Sequence, residues 1–274
     1  MNDPTTTGRS LGASRHVLLA MTGVFLLAAV GPLVGLFLYA PLPHLLRGML
    51  LQEAWQALLL TLKTSTVAVA LAVLLGLPAA ICLARVQFRG KVIVNALLEL
   101  PIALPPLVLG VALILVWGRQ GLLGHYLAAA GHPISFTALA VVMAQFVVAS
   151  PFFVRIAKAA VEQVPTSLEE ASVTLGRSLP ATLLLVTLPL AGRGLLSALI
   201  TCWARAMSEF GATILFAGSF PGRTQTAPTA IYNLMQSDIE SAVGLALIML
   251  VFSALAFVVA QVGVRHLTAA GEMT

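Results

Sequence analysis

Residues 57–84 read ALLLTLKTSTVAVALAVLLGLPAAICLA, an apolar run interrupted by one charge, Lys63, close to its start. A helix needs roughly 20 mainly apolar residues to cross a bilayer's hydrocarbon core. A long cationic side chain near one end can lie along the apolar surface and keep its ammonium in water. The run therefore reads as a membrane-spanning helix. Five further windows repeat it: Val17–Tyr39, Pro101–Gly118, Phe136–Val154, Leu195–Ala217 and Ala242–Val264. Over the whole chain 59% of residues are hydrophobic and 9% are charged. A soluble domain carries about 25% charge, so this surface is made for lipid. The expected fold is an all-α membrane protein of about six transmembrane helices.

The formal net charge of +5 sits in short connecting segments. With the N-terminus placed in the cytoplasm, the inner segments hold ten Lys and Arg (Arg9, Arg15, Arg85, Arg89, Lys91, Arg155, Lys158, Arg177, Arg193, Arg265). The outer segments hold three (Arg47, Arg119, Arg223). Cationic loops stay inside, so both termini are expected in the cytoplasm, and topology accounts for the charge without a nucleic-acid partner. Cys82 and Cys202 lie in apolar windows and read as small buried hydrophobes; His44, His125 and His132 are scattered. No disulfide framework or metal-ligand set is expected. The apolar run beginning at Val17 is too long for a secretory leader and is expected to remain as a span.

The connection from Arg155 to Gly194 is patterned. Thr166-Ser167-Leu168-Glu169 follows Pro165 and predicts a capping box. A short helix is expected over Ser167–Leu175, ended by Gly176 in a left-handed turn. A second short helix is expected from about Ser178, tolerating Pro180 and stopping before Pro189. Two short helices and a glycine turn would lie at the cytoplasmic face, where an exposed face can dock on a partner.

This segment resembles a known family. Glu170-Ala171-Ser172, three residues, Gly176, nine residues, then Val186-Thr187-Leu188-Pro189 is similar to the EAA motif of binding-protein-dependent ABC importer permeases, with Ser172 and Val186 as mild departures from Ala and Ile. The resemblance implies a type I importer transmembrane domain over residues 53–264, its coupling segment at 158–192. Residues 1–16 would be a cytoplasmic tail, 17–52 an added first span with its outer loop, and 265–274 a C-terminal tail. It also implies that Glu169, Glu170, Ala171, Ser172, Gly176, Leu188 and Pro189 couple to an ATPase. Three stretches resemble molybdate and tungstate permeases, with sulfate permeases close: Leu100–Pro106, Ala204–Ala212 and Pro221–Thr226. That likeness implies a homodimer of this chain in a bacterial inner membrane, two ATPase subunits holding ATP and Mg, and an extracytoplasmic oxyanion-binding protein. No cofactor is implied on this chain, and no catalytic residue.

Arg205 and Glu209 stand four apart in the fifth window, on a stripe with Thr201, Ser208 and Thr213. A charge near mid-bilayer costs at least ~2.5–3.5 kcal/mol, so the pair must face protein or water. Two readings stay open: a structural pair that fixes packing, or a pathway or gate. Pro105 and Pro106, with Pro101 before them, predict either a kinked pathway wall or a re-entrant cap. The loop at 218–241, with Pro221, Arg223, Thr224 and Gln225, reads as a binding-protein dock or an ordinary surface loop. Gly31 and Gly35 match a weak helix-contact spacing. The chain has no Gly-x-x-x-x-Gly-Lys-Ser/Thr phosphate loop, so energy comes from a partner or an ion gradient. A proton-coupled carrier is the alternative of another class.

Overall fold

The computed structural model describes residues 5–39 and 52–271, all helix and connecting turn among those residues. Residues 1–4 and 272–274 of the two tails, and most of the first outer loop with His44 and Arg47, lie outside the described residues. Helix α1 covers Thr5–Tyr39, α2 Gln52–Arg85, α3 Lys91–Ala103, α4 Pro106–Trp117, α5 Gly124–Ala129 and α6 Ala138–Glu162. Helix α7 covers Thr166–Thr174 and α8 Leu179–Thr182. A π turn, Leu183–Thr187, leads into α9, Leu188–Met207. The last three are α10 Gly211–Phe216, α11 Ala227–Met235 and α12 Ile239–Gly271. Among the described residues four helical stretches are long and apolar enough to cross a bilayer, and a bent pair makes a fifth. Within α12 the stretch Ile239–Leu255 is a further, shorter apolar helix.

The centre is built by α2, α6 and α9. Their shared cluster includes Ala72, Ala80, Ala149, Ala157, Ala198, Cys202 and Ala206. Lipid is as apolar as these side chains, so burial alone does not hold membrane helices together; small residues do so by letting backbones approach. On α2 the buried positions Ala54, Ala57, Leu58, Thr61, Thr64, Ser65, Ala68, Ala72, Gly76, Ala80 and Leu83 recur every three or four residues and form one face. The opposite face shows Leu59, Val67, Leu74 and Leu75 outward, as a lipid-facing surface requires. Exposed Lys63 and the terminal Arg85 are separated by about 33 Å at 1.5 Å per residue, matching the hydrocarbon core. Helix α1 stands outside this core and meets α12 around Leu36, Val243 and Leu247.

Two spans are broken. Residues 101–118 are expected as a span; instead α3 and α4 meet at a 111° bend. Leu104 is extended (φ −84°, ψ 141°), as a residue before proline must be. Pro105 continues the extended stretch (φ −57°, ψ 136°), and Pro106 restarts the helix at the first position, where its missing N–H costs nothing. The stretch 195–217 is likewise not one helix. It stops at Met207, and Ser208, Glu209 and Phe210 intervene before α10.

The connection after α6 departs from expectation twice. The capping box does not form: Pro165 holds the cap position of α7 with no side-chain cap bond. Glu169 is drawn instead to Arg85, whose charged donors outweigh a neutral backbone N–H. Nor does the second helix stop before Pro189. The 29 residues Leu179–Met207 run on as one helical stretch through the π turn. There the Leu188 N–H reaches back five residues to the Leu183 carbonyl. The added residue accommodates Pro189, which has no N–H to donate and whose ring would crowd the carbonyl four residues earlier.

Candidate functional site

The short helix α7 sits at the Arg85 end of α2. Its C-terminus is a Schellman turn: the Gly176 N–H donates to the Val173 carbonyl at 2.9 Å and the Arg177 N–H to the Ser172 carbonyl at 3.2 Å. This turn needs a left-handed residue, and Gly176 supplies φ +89°. A Cβ there would meet nothing within 4 Å, so conformation rather than space selects glycine. Ser172 is buried, and its hydroxyl lies 3.0 Å from the hydroxyl of Thr182. That bond ties α7 to α8 and accounts for a serine where the resemblance expects alanine.

The seven residues expected to couple to an ATPase divide between two surroundings. Glu170, Ala171, Gly176 and Pro189 are exposed, Leu188 is half-buried, and Ser172 is inside. Leu168, Val173 and Leu175 add apolar surface around them. Glu169 is turned inward. Its Oε1 accepts from Arg85 Nε at 3.0 Å, from Arg85 Nη2 at 2.8 Å and from Thr187 Oγ1 at 2.6 Å. Spacing alone could not separate inward Glu169 from outward Glu170; the signal was Arg85 at the end of an apolar span, in need of an anion.

The second constellation lies where the broken spans meet. Arg205 is in the last turn of α9, its Nη2 lying 3.0 Å from Glu209 Oε2. The Arg205 side chain is 24% exposed and that of Glu209 is fully buried. Glu209 lies beyond the helix, so the expected single stripe is not a helix face. Its Oε1 accepts the Ala212 N–H at 2.8 Å and caps the start of α10. This capping carboxylate gives the chain an alternative to continuing α9. Ser208 is exposed, donating to the Arg205 carbonyl at 3.2 Å; Thr201 is half-buried and Thr213 fully buried. The Thr213 hydroxyl has no hydrogen-bond partner among the described residues.

Helices α4 and α10 pack with almost no gap. A Cβ on Gly110 would stand 3.0 Å from Ala212 Cα, and one on Gly211 would stand 3.1 Å from Pro106 Cβ. The proline break and the Ser208–Phe210 break are thereby held against each other. Pro105 is exposed and Pro106 half-buried at this junction. A cavity of about 440 Å³ opens at the opposite end of the α4–α10 contact, lined by Ile114, Arg119, Ser135, Phe136, Leu215 and Phe216 among others. The arrangement combines a cation beside a break with tight glycine contacts between α4 and α10.

Of the expected docking loop, Pro221 and Arg223 are exposed, whereas Thr224 and Gln225 are buried. Thr224 Oγ1 accepts the Phe220 N–H at 3.2 Å and so shapes the turn. The next helix, α11, is held by a capping box of Thr226 and Thr229. Its Ala227 N–H also donates to Thr61 Oγ1 on α2 at 2.8 Å.

Residues 72–269 match the family described as "Binding-protein-dependent transport system inner membrane component". The molybdenum transport system permease protein ModB of Mycobacterium tuberculosis is 39% identical over 246 residues, 90% of this chain and 92% of that protein. The sulfate transport system permease protein CysW of Synechococcus elongatus is 35% identical over 208 residues, 73% of each. Among solved structures, a chain of a bacterial ABC transporter involved in import of the acidic polysaccharide alginate superposes with a TM-score of 0.75 at 15% identity. The match covers 94% of this chain and 96% of that one, and it shows a shared fold.

Proposed function

The chain belongs to the binding-protein-dependent transport system inner membrane component family, and from that premise we propose that it carries molybdate or tungstate across the membrane. It is a multi-pass inner-membrane permease subunit of an ABC importer, a non-catalytic membrane component. Family membership sets aside the proton-coupled carrier. In the proposed assembly two copies of this chain form the path. Two separate ATPase subunits hold ATP and Mg and dock on α7, and an extracytoplasmic protein delivers the ion. Both termini face the cytoplasm, so α7 lies inside and the turn at Pro221–Arg223 lies outside.

The observation that carries this reading is α7: a short helix fixed from within by Ser172 and Glu169 while Glu170, Ala171 and Leu175 stay exposed. Such a helix offers a partner an acidic and apolar face and passes its displacement through the π turn into α9. At the far end of α9 stands Arg205. A guanidinium fork suits a tetrahedral oxyanion. Glu209, held against it, weakens the attraction, so the pair acts as a gate rather than a store. The Gly110–Ala212 contact makes α4 follow α10 when the gate moves.

Molybdate and tungstate are favoured by the 39% identity to a molybdenum permease over nine-tenths of the chain. Sulfate is the second reading, supported by the 35% identity to a sulfate permease. The delivering protein sets the choice between these ions, because a closed, dry pocket rejects a wrong radius better than a transient path does. The test is deletion of the gene, with growth on limiting molybdate or limiting sulfate. Loss of molybdenum-enzyme activity with normal sulfur growth supports the proposal. A sulfur requirement with normal molybdenum enzymes overturns it.

A further inference from the structure

Glu169 adjoins the docking face, yet its carboxylate is not available to a partner. One oxygen collects three donors from two different helical elements. Arg85 Nη2 also donates to the Val164 carbonyl at 2.9 Å, in the connection between α6 and α7. The ion pair is well shielded, each side chain being 17% exposed. A single carboxylate thus joins the last residue of α2, the last residue of the π turn and the start of the docking segment. Residue spacing cannot explain this convergence: Arg85 and Glu169 are 84 positions apart, and Thr187 is 18 positions from Glu169.

We propose that Arg85 and Thr187 are positioning residues which, through Glu169, bind the movement of α7 to α2 and α9; this rests on the permease reading above. Helix α7 has nine residues, about two and a half turns, and ends in a glycine turn. Held only at its ends, it would swivel under a load on its exposed face. The planar guanidinium of Arg85 resists that rotation because it is fixed on two acceptors at once, Glu169 Oε1 and the Val164 carbonyl. Arg85 is also well placed as a cation in the last turn of α2, where carbonyls are unpaired. Thr187 pins the end of the π turn, the least regular part of the α8–α9 stretch, so that load reaches α9 instead of being absorbed there.

Helix α2 then serves as a strut. At one end it holds α7 through Arg85; at the other, Thr61 Oγ1 receives the Ala227 N–H at the start of α11. Thr61 also donates to its own helix at the Ala57 carbonyl, 2.7 Å away, so both its functions are used. The two ends of the bundle are linked by one helix with a hydrogen-bonded fastening at each.

The experiment uses the full complex of this chain with its ATPase and binding protein in proteoliposomes, measuring bound ATPase, ATP hydrolysis and ions imported together. Arg85→Gln removes both charged bonds to Glu169 and is expected to keep the ATPase bound but to lower ions imported per ATP about tenfold or more. Thr187→Val should move the same ratio in the same direction by less. Exchanging the charges, Arg85→Glu with Glu169→Arg, should restore part of the ratio. If Arg85→Gln does not accumulate, Arg85→Lys carries the test. It keeps the charge but cannot make both Nε and Nη2 contacts, so an intermediate ratio is expected. A wild-type ratio in Arg85→Gln, or in Arg85→Lys where that variant stands in, overturns the proposal. So does loss of ATPase binding that the exchange fails to repair. A wild-type chain that binds no ATPase overturns the permease reading with it, whereas normal coupling in wild type and variants alike overturns the clamp alone.

Discussion

Removing Arg205 should damage the protein more than removing Glu209, although the two form one ion pair. In Arg205→Ala the carboxylate of Glu209 stays fully buried. Oε1 keeps the Ala212 N–H, but Oε2 loses the guanidinium that lay 3.0 Å away. Stranding one member of a buried pair costs about 3–5 kcal/mol. In Glu209→Ala the survivor is Arg205, 24% exposed, on a long side chain that can turn toward water. What is lost is mainly the cap on α10, worth about 1 kcal/mol. Arg205→Ala should therefore exceed Glu209→Ala by about 2–4 kcal/mol. The double alanine variant should be less damaged than Arg205→Ala alone, because no stranded carboxylate remains. For a chain of this size about 1 kcal/mol moves the midpoint by about 2–4 °C, so a difference of at least about 4 °C is expected. The assay is thermal unfolding of the purified protein in detergent, followed by loss of monodisperse material. If Glu209→Ala melts at or below Arg205→Ala, or the double variant is the worst of the three, the burial argument is refuted.

Other perturbations test separate parts of the account. Gly110→Val places a branched side chain where even a Cβ would be 3.0 Å from Ala212 Cα; it should lower stability by about 1–3 kcal/mol or more, measured in the same melt. Gly192→Ala is the matched control, since a Cβ there meets nothing within 4 Å, and should be neutral or stabilising by up to about 1 kcal/mol. Gly176→Ala should cost about 1–2 kcal/mol of local strain from φ +89° alone, read as weaker co-purification of the ATPase, and Gly176→Asn should recover part of it. Glu170→Arg reverses an exposed charge on the proposed docking face and should abolish that co-purification while the chain still inserts; normal ATPase binding would displace the docking surface from α7.

How far the sequence reaches can be judged from particular elements. The apolar windows at 17–39 and 57–84 fall within helices, and the window at 136–154 does so from Ala138 onward, because a continuous apolar run has few alternatives in lipid. Gly176 was legible as a left-handed turn because conformation, not contact, selects it. The breaks were only half legible. Pro105 and Pro106 announce a kink but not a 111° bend. The stop after Met207 has no proline before it; its signal is a carboxylate, Glu209, two residues ahead of Gly211, ready to cap a new helix. The capping box at Thr166–Glu169 was a sound local pattern defeated by tertiary competition, since Arg85 offers two charged donors where the backbone offers one neutral one. Thr224 and Gln225 read as surface because the loop is polar, but Thr224 spends its hydroxyl on the turn itself. Local patterns were readable where no distant partner competed, as at Gly176; pairings between distant residues such as Arg85 and Glu169 were not.

The central claim is that this chain moves an oxyanion inward using energy from a separate ATPase. It is tested most directly in proteoliposomes holding the purified chain, with radiolabelled molybdate supplied outside. The account predicts uptake only when the ATPase, internal ATP and the binding protein are all present, with no uptake under an imposed proton gradient. Uptake by the chain alone on a proton gradient, unaffected by ATP, would contradict it.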